Sequence, residues 1–214
     1  MHGGVQSMMG NSGQTCSAGS RLIVPNARMD EVKAVAKEAC ESVTVGDPKG
    51  NFAMGPVVSI GQYDDVQRYI KLGIDEGAEL IAGGPGRPEG LDKGAYVRPT
   101  VFLSNNQRTI DREEIFGPVL VMSGFDDIDH AVDIANDTSF GLAGYVNGKD
   151  HEQCRAIGRR IRAGWINLND GFDFHAPFGG YKRSGNGREW GEHGFEEYLE
   201  VKALLNYAPA QAAE

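Results

Sequence analysis

VLVMSGFDDIDHAVDIANDTSFGLAGYVNGKDHEQCRAIGRRIRAGWINL, residues 119–168, decides the fold. Val119-Leu120-Val121-Met122 is an uninterrupted apolar run of strand length. Residues 126–136 then place Ile128, Ala131, Val132 and Ala135 at helical spacing, with Asp126 as the expected cap. A strand over residues 142–146 and a helix over 151–162, with Cys154, Ile157 and Ile161 inward, repeat the alternation. Trp165-Ile166-Asn167-Leu168 supplies the next strand. Strands and helices in succession imply an α/β fold, a layered parallel sheet with flanking helices.

The same grammar extends upstream. Leu22-Ile23-Val24 reads as a short buried strand closed by Pro25. Residues 30–43 form the clearest amphipathic helix, its inward stripe Val32, Val35, Ala36, Ala39, Cys40 and Val43. A second helix is expected over 63–76 with Val66, Tyr69, Ile70 and Ile74 inward, then a strand over 78–82. Gly83-Gly84-Pro85-Gly86 forces an exposed turn, and a further strand pattern covers 96–103. Downstream, residues 201–207 read as an exposed strand and 210–214 as a fraying end.

Composition narrows the function classes. The chain has 214 residues, 40% of them hydrophobic, enough for one substantial core. Its 21 basic and 30 acidic side chains give a net charge of -9, which offers no general attraction to nucleic acid or to an anionic membrane. Arg155, Arg159, Arg160 and Arg162 read as a solvated helix face. No stretch has the apolar length of a membrane span, and the first residues lack the pattern of a secretory signal. Cys16, Cys40 and Cys154 are odd in number and lack CxxC spacing, which suggests neither a disulfide framework nor a metal site. A reducing, cytoplasmic setting fits. The 30 glycines sit in short punctuating segments and shape turns.

Cys16 is the residue with chemistry to offer. A cysteine attacks as its thiolate, which backbone N–H groups or nearby positive charge favour. The turn-prone run Gly10-Asn11-Ser12-Gly13-Gln14-Thr15-Cys16-Ser17-Ala18-Gly19 surrounds it with small neighbours that let substrate and backbone approach closely. Taken alone, a cysteine beside glycines reads as a structural or incidental thiol before it reads as a nucleophile. Cys40, on the apolar stripe of its helix, reads as a small buried side chain.

Three blocks carry a resemblance. Gly10 through Arg21 is similar to the active-site signature of the aldehyde dehydrogenase superfamily. Glu113-Glu114-Ile115-Phe116-Gly117-Pro118-Val119 resembles a second family motif. Pro177-Phe178-Gly179-Gly180-Tyr181-Lys182-Arg183-Ser184-Gly185, followed by Gly187-Arg188-Glu189, resembles a third. The resemblance runs through essentially the whole chain in the family's order.

It implies a catalytic domain over residues 1–200 and an oligomerisation strand and tail over 201–214. Cys16 becomes the nucleophile that attacks an aldehyde carbonyl, passes through a thiohemiacetal that expels hydride toward nicotinamide, and leaves a thioester. The Cys16 backbone N–H would steady the developing oxyanion. Glu114, by itself a surface or turn carboxylate, would accept hydrogen bonds from the nicotinamide ribose. Phe116, by itself a core residue, would pack near the ring. Phe172 and Phe178 would line the aldehyde tunnel, while His175 reads as a loop or interface histidine. The cofactor implied is NAD or NADP in the complete enzyme, and the acyl acceptor is water or coenzyme A.

The family's upstream glutamate base, its oxyanion-hole asparagine and its dinucleotide-binding domain have no counterpart in this sequence. No strand followed by a GxGxxG turn and a helix replaces that domain. Weak or absent dinucleotide binding by the chain alone is therefore expected, as is dependence on an N-terminal portion or a complementary chain. The competing readings are a structural or interaction fragment and a cysteine-dependent esterase or acyl-transfer protein.

Overall fold

The structure, a computed structural model, describes residues 2–206. In chain order its elements are α1 (His2–Met9), β1 (Arg21–Pro25), α2 (Met29–Glu41), α3 (Ile60–Asp75), β2 (Glu79–Ala82), β3 (Thr100–Ser104) and β4 (Val119–Phe125). They continue with α4 (Ile128–Asn136), β5 (Ala143–Val146), α5 (His151–Gly158), β6 (Trp165–Leu168) and α6 (Gly191–Glu196). Four strands form one sheet in the order β1-β4-β3-β2. β4 lies parallel to β1, with Arg21 opposite Val121, and parallel to β3, with Thr100 opposite Val119. β5 and β6 form a second, parallel pair joined through α5, with Ala143 opposite Trp165.

The run at Val119–Met122 is uninterrupted because both faces of β4 are covered, as parallel sheets require. Successive side chains alternate between two cores. Leu120 and Met122 join Val101, Val24 and Ala82 against Val5, Met8 and Met9 of α1 and Val32, Ala36 and Ala39 of α2. Val119 and Val121 join Phe102 against Tyr63, Val66 and Ile70 of α3 and Ile110. Each such fully buried side chain contributes about 1.5–3 kcal/mol. The sheet is thus the middle of three layers.

The α/β class and the alternation hold, and the details depart in instructive ways. α1 was not expected, because HGGVQSMM carries two glycines and little intrinsic helicity. Burial of Val5, Met8 and Met9 at three- and four-residue spacing holds it in the helical form. β2 is antiparallel to β3 instead of extending the parallel set, with a bulge between Leu80 and Ala82. Ile74 is exposed, since α3 turns Tyr63, Val66, Ile70 and Gly73 inward and Ile110 packs over Gly73. The cap of α4 is Asp127, whose carboxylate accepts from the His130 N–H at 2.8 Å. Asp126 instead accepts from Asn26 Nδ2. α5 stops at Gly158, four residues before the expected end, its N-terminus capped by Asp150. Strand β3 covers only the last part of the 96–103 pattern, though Val97 is buried.

Of the basic cluster, Arg155 pairs with Glu152 and Arg160 with Asp129 on an exposed face, contributing little to stability. Of the strand pattern over 201–207, residues 201–206 form no strand and are exposed, while Tyr207 and residues 210–214 lie outside the described region. No helix among the described residues is long and apolar enough to cross a membrane. No group of His, Cys, Asp or Glu among them is arranged to hold a metal ion.

Candidate active site

The loop before β1 is held as an arch. Asn11, Ser12 and Gly13 take left-handed backbone angles in succession, φ 51°, 58° and 70°. Asn11 Nδ2 donates to the Gln14 carbonyl, and Gln14 Nε2 donates back to the Asn11 carbonyl. The buried Ser12 hydroxyl donates to the Gly55 carbonyl at 2.9 Å, and Gln14 Oε1 accepts from the Val58 N–H at 2.9 Å. The arch then turns at Cys16, where the Ala18 N–H donates to the Thr15 carbonyl. The Cys16 side chain is exposed there, while Cys40 and Cys154 are each only 3% exposed. Burial, aided by the charge of Glu41, pushes the Cys40 thiol up to about 12.

A Cβ on Gly13 would overlap the carbonyl of Gly117, so the two backbones touch and only glycine fits. That contact joins the Cys16 loop to the Glu114 loop. Gln62 Nε2 donates to the Ile115 and Phe116 carbonyls, at 3.2 and 2.9 Å. The Thr100 N–H donates to the Pro118 carbonyl, which ties the loop to β3. Phe116 is held at φ 52° with its ring partly in solvent. The exposed Glu114 carboxylate has no hydrogen bond or ion pair among the described residues. The structure therefore brings Cys16, Glu114 and Phe116 onto two fastened loops.

The third block closes back on α4. Gly179 passes so near Gly164 and Gly187 that a side chain on either Gly164 or Gly179 would strike a backbone carbonyl. Phe178 and Glu189 exchange backbone hydrogen bonds of 2.7 Å each. Lys182 Nζ donates to the Asn136 and Thr138 carbonyls at 2.9 and 3.0 Å, at the C-terminus of α4. Arg21, from the other end of the Cys16 block, donates to the Ile134 carbonyl at 2.7 Å and to Asn106 Oδ1 at 2.8 Å. Burial draws both cations below their ordinary values. For Arg21 the charges of Asp111 and Asp137 oppose the shift; for Lys182 the neighbouring Arg162 and Arg21 add to it.

Phe172 and Phe178 belong to a larger group of rings. Trp165 lies 5.6 Å from Phe172 and 5.4 Å from Phe178, centroid to centroid. Phe174 meets Phe172 at 4.6 Å, and Trp190 meets Phe178 at 5.0 Å and Phe174 at 5.4 Å. Sequence reading missed Trp165, Phe174 and Trp190 as members. The signals available were the two-residue spacing of Phe174 from Phe172 and the place of Trp190 next to Glu189. β5 joins this wall to the Cys16 loop: the Tyr145 hydroxyl donates to the Ser17 carbonyl at 2.7 Å. His175 is a solvated loop residue whose Nδ1 lies 3.0 Å from Asp173 Oδ1.

A family model described as the aldehyde dehydrogenase family matches residues 1–204. The chain belongs to the aldehyde dehydrogenase family. Aldehyde dehydrogenase C of Pseudomonas syringae, solved as a mutant with NAD+ and octanal, superposes with a TM-score of 0.94 and 50% identity. The match covers 98% of this chain and 44% of that one. A Mycobacterium tuberculosis aldehyde dehydrogenase solved with NAD+ gives a TM-score of 0.89 at 42% identity, over 96% of this chain and 44% of that one. A Staphylococcus aureus relative bearing the same family name is 51% identical over 203 residues, 94% of this chain and 43% of its own length. The chain thus spans less than half the length of these aldehyde dehydrogenases.

Two measurements test this geometry. Gly13→Ala forces a Cβ into the Gly117 carbonyl at a positive φ, so urea unfolding should show a loss of at least about 2 kcal/mol. An unchanged midpoint would mean that the two loops do not touch. Limited iodoacetamide treatment of the folded chain should label Cys16 ahead of Cys40 and Cys154, because only Cys16 is exposed and Cys40 stays protonated; peptide mapping that finds Cys40 first would overturn that order.

Proposed function

We propose that this chain carries the nucleophile of a NAD(P)-dependent oxidation of aldehydes to carboxylic acids. The observation that carries the reading is the Gly13–Gly117 backbone contact, which sets the exposed Cys16 thiol on a loop locked to the one bearing Glu114 and Phe116. An unpartnered carboxylate beside a half-exposed ring suits the nicotinamide end of a dinucleotide. Glu114 would accept from the two ribose hydroxyls and Phe116 would offer a packing surface. When bound there, the nicotinamide supplies the hydride acceptor.

Cys16 would carry the covalent steps of the acyl chemistry. Cys16 Sγ donates its electron pair to the aldehyde carbon, and the carbonyl π pair moves to oxygen. The Cys16 backbone N–H is suited to receive that charge. Loss of hydride from the tetrahedral carbon leaves a thioester on Sγ. Water then adds to the thioester carbon, the C–S bond breaks, and a carboxylic acid and the free thiol result. Phe172 and Phe178, within their ring cluster, favour an aldehyde with an apolar tail. The octanal bound to the Pseudomonas syringae relative supports that preference.

The general base and the adenosine half of the dinucleotide site would come from outside this chain, whether from further sequence or from a complementary chain. Alone, the chain is read as binding dinucleotide weakly and lacking dehydrogenase turnover. Its place is the cytoplasm. Phe195, Tyr198, Leu199, Val201, Leu204 and Leu205 are exposed on the last described stretch, with Val201 99% open. Strand addition to another protomer would cover that stretch.

Protection of Cys16 tests the chemistry. Octanal should slow its alkylation far more than glyceraldehyde does. Absence of protection by any aldehyde would sink the reading, and a Cys16-dependent burst from an activated ester without aldehyde protection would favour acyl transfer. Sedimentation equilibrium tests the partner surface. The intact chain should associate with rising concentration, and a chain ending before Val201 should associate less; a stable monomer at micromolar concentration rejects strand addition.

A further inference from the structure

Cys16 and Ser17 are the two corners of a β-turn closed by the Ala18 N–H donating to the Thr15 carbonyl at 2.8 Å. The arch that precedes the turn is bonded at Asn11, Ser12 and Gln14. The corner itself is reached from 128 residues away, by the Tyr145 hydroxyl, which donates to the Ser17 carbonyl at 2.7 Å. The Tyr145 ring also lies against Gly19, where a Cβ would sit 3.6 Å from it, in ordinary contact. From this geometry we infer that Tyr145 is a positioning residue for Cys16, fastening the corner that carries the thiol to strand β5. The inference rests on the reading of Cys16 as nucleophile.

Tyr145 is suited to the task. β5 is paired rung for rung with β6, from Ala143–Trp165 to Val146–Leu168. Ile166 and Leu168 point toward Gly158 of α5. By strand alternation Trp165, Asn167, Ala143 and Tyr145 share the opposite face. The tyrosine is therefore rooted beside the indole that anchors the ring cluster, and its bond sets the Cys16 corner against that wall. Burial pushes the phenol above the usual tyrosine range, and the nearby Cys16 charge adds to the rise. The hydroxyl thus remains a donor. A phenol on the Ser17 carbonyl polarises the Ser17–Ala18 peptide, which strengthens the Ala18 N–H bond that closes the turn.

The test is Tyr145→Phe in the full 214-residue chain, which keeps the ring and removes only the donor. Hydrogen exchange at the Ala18 amide should accelerate about fivefold, the worth of one neutral hydrogen bond, while the amides of Val121 and Met122 keep their rates. Octanal should protect Cys16 less well by a similar factor, with alkylation in the absence of aldehyde changing less than that. Unchanged exchange at Ala18 overturns the inference, and so does an acceleration shared equally by the β4 amides, which would mark general loosening. If octanal fails to protect Cys16 even in the unsubstituted chain, the nucleophile reading falls separately, and the Ala18 rate still decides whether Tyr145 fastens the turn.

Discussion

The contact between the Gly13 backbone and the Gly117 carbonyl is the constraint on which the rest of the site depends. Its origin is the topology. β1 and β4 are adjacent parallel strands, so the loops that lead into them emerge at the same end of the sheet. Each loop contains one block of the family signature, and their closest approach leaves no room for a side chain. Open α/β sheets usually place ligands at the carboxyl ends of their strands. Here the candidate nucleophile and the candidate ribose ligand both precede their strands, at the amino ends. What permits this is a buried β4 rigid enough to register the two loops against each other.

A second constraint sits at the C-terminus of α4. Arg21 and Lys182, from the first and third blocks, both donate to the terminal carbonyls of that helix. Carbonyls at and just beyond a helix C-terminus carry partial negative charge, so they suit a cation. Desolvation of Arg21 is partly offset by these bonds, by Asn106 and by the nearby Asp111 and Asp137. The surface pairs of α5 contribute little by comparison. Removing Lys182 would take the ammonium from the part-buried Thr138 carbonyl, a larger penalty than breaking an exposed ion pair. The clamp therefore holds three segments far apart in sequence in one arrangement.

Local chemistry was legible in the sequence; distant contacts were not. The apolar run of β4, the stripe of α2 and the three signature blocks can all be read from neighbours within a few residues. α1 cannot, because its helicity depends on a core assembled from α2, β3 and β4. Ile74 fits a helical period as well as Gly73 does, and only the position of Ile110 chooses between them. Asp126 and Asp127 are equivalent caps by composition, and Asn26 decides the matter by engaging Asp126. Tyr145 carries no local signal, since its partner Ser17 lies 128 residues away in sequence. Cys16, Glu114, Phe116, Phe172 and Phe178 were found through family resemblance. Their neighbours Trp165, Phe174 and Trp190 emerge only when the rings are seen together.

The backbone strain follows the same map. Asn11 and Ser12 in the first block, Phe116 in the second, Lys182 in the third and Trp190 just beyond it all have positive φ. Asparagine tolerates positive φ, but for Phe116, Lys182 and Trp190 it costs roughly 1–3 kcal/mol each. Each has a local compensation. Gln62 holds the Phe116 carbonyl, two helix-end carbonyls hold the Lys182 ammonium, and four rings surround Trp190. Positive φ also occurs at Asn106, Asn169, Asp170 and Asn206, where the residue types tolerate it, so the costly positions are those in or beside the second and third blocks. The strain is thus the cost of holding side chains from three remote segments at one end of the sheet, and it is tolerated because a packed three-layer core lies beneath them.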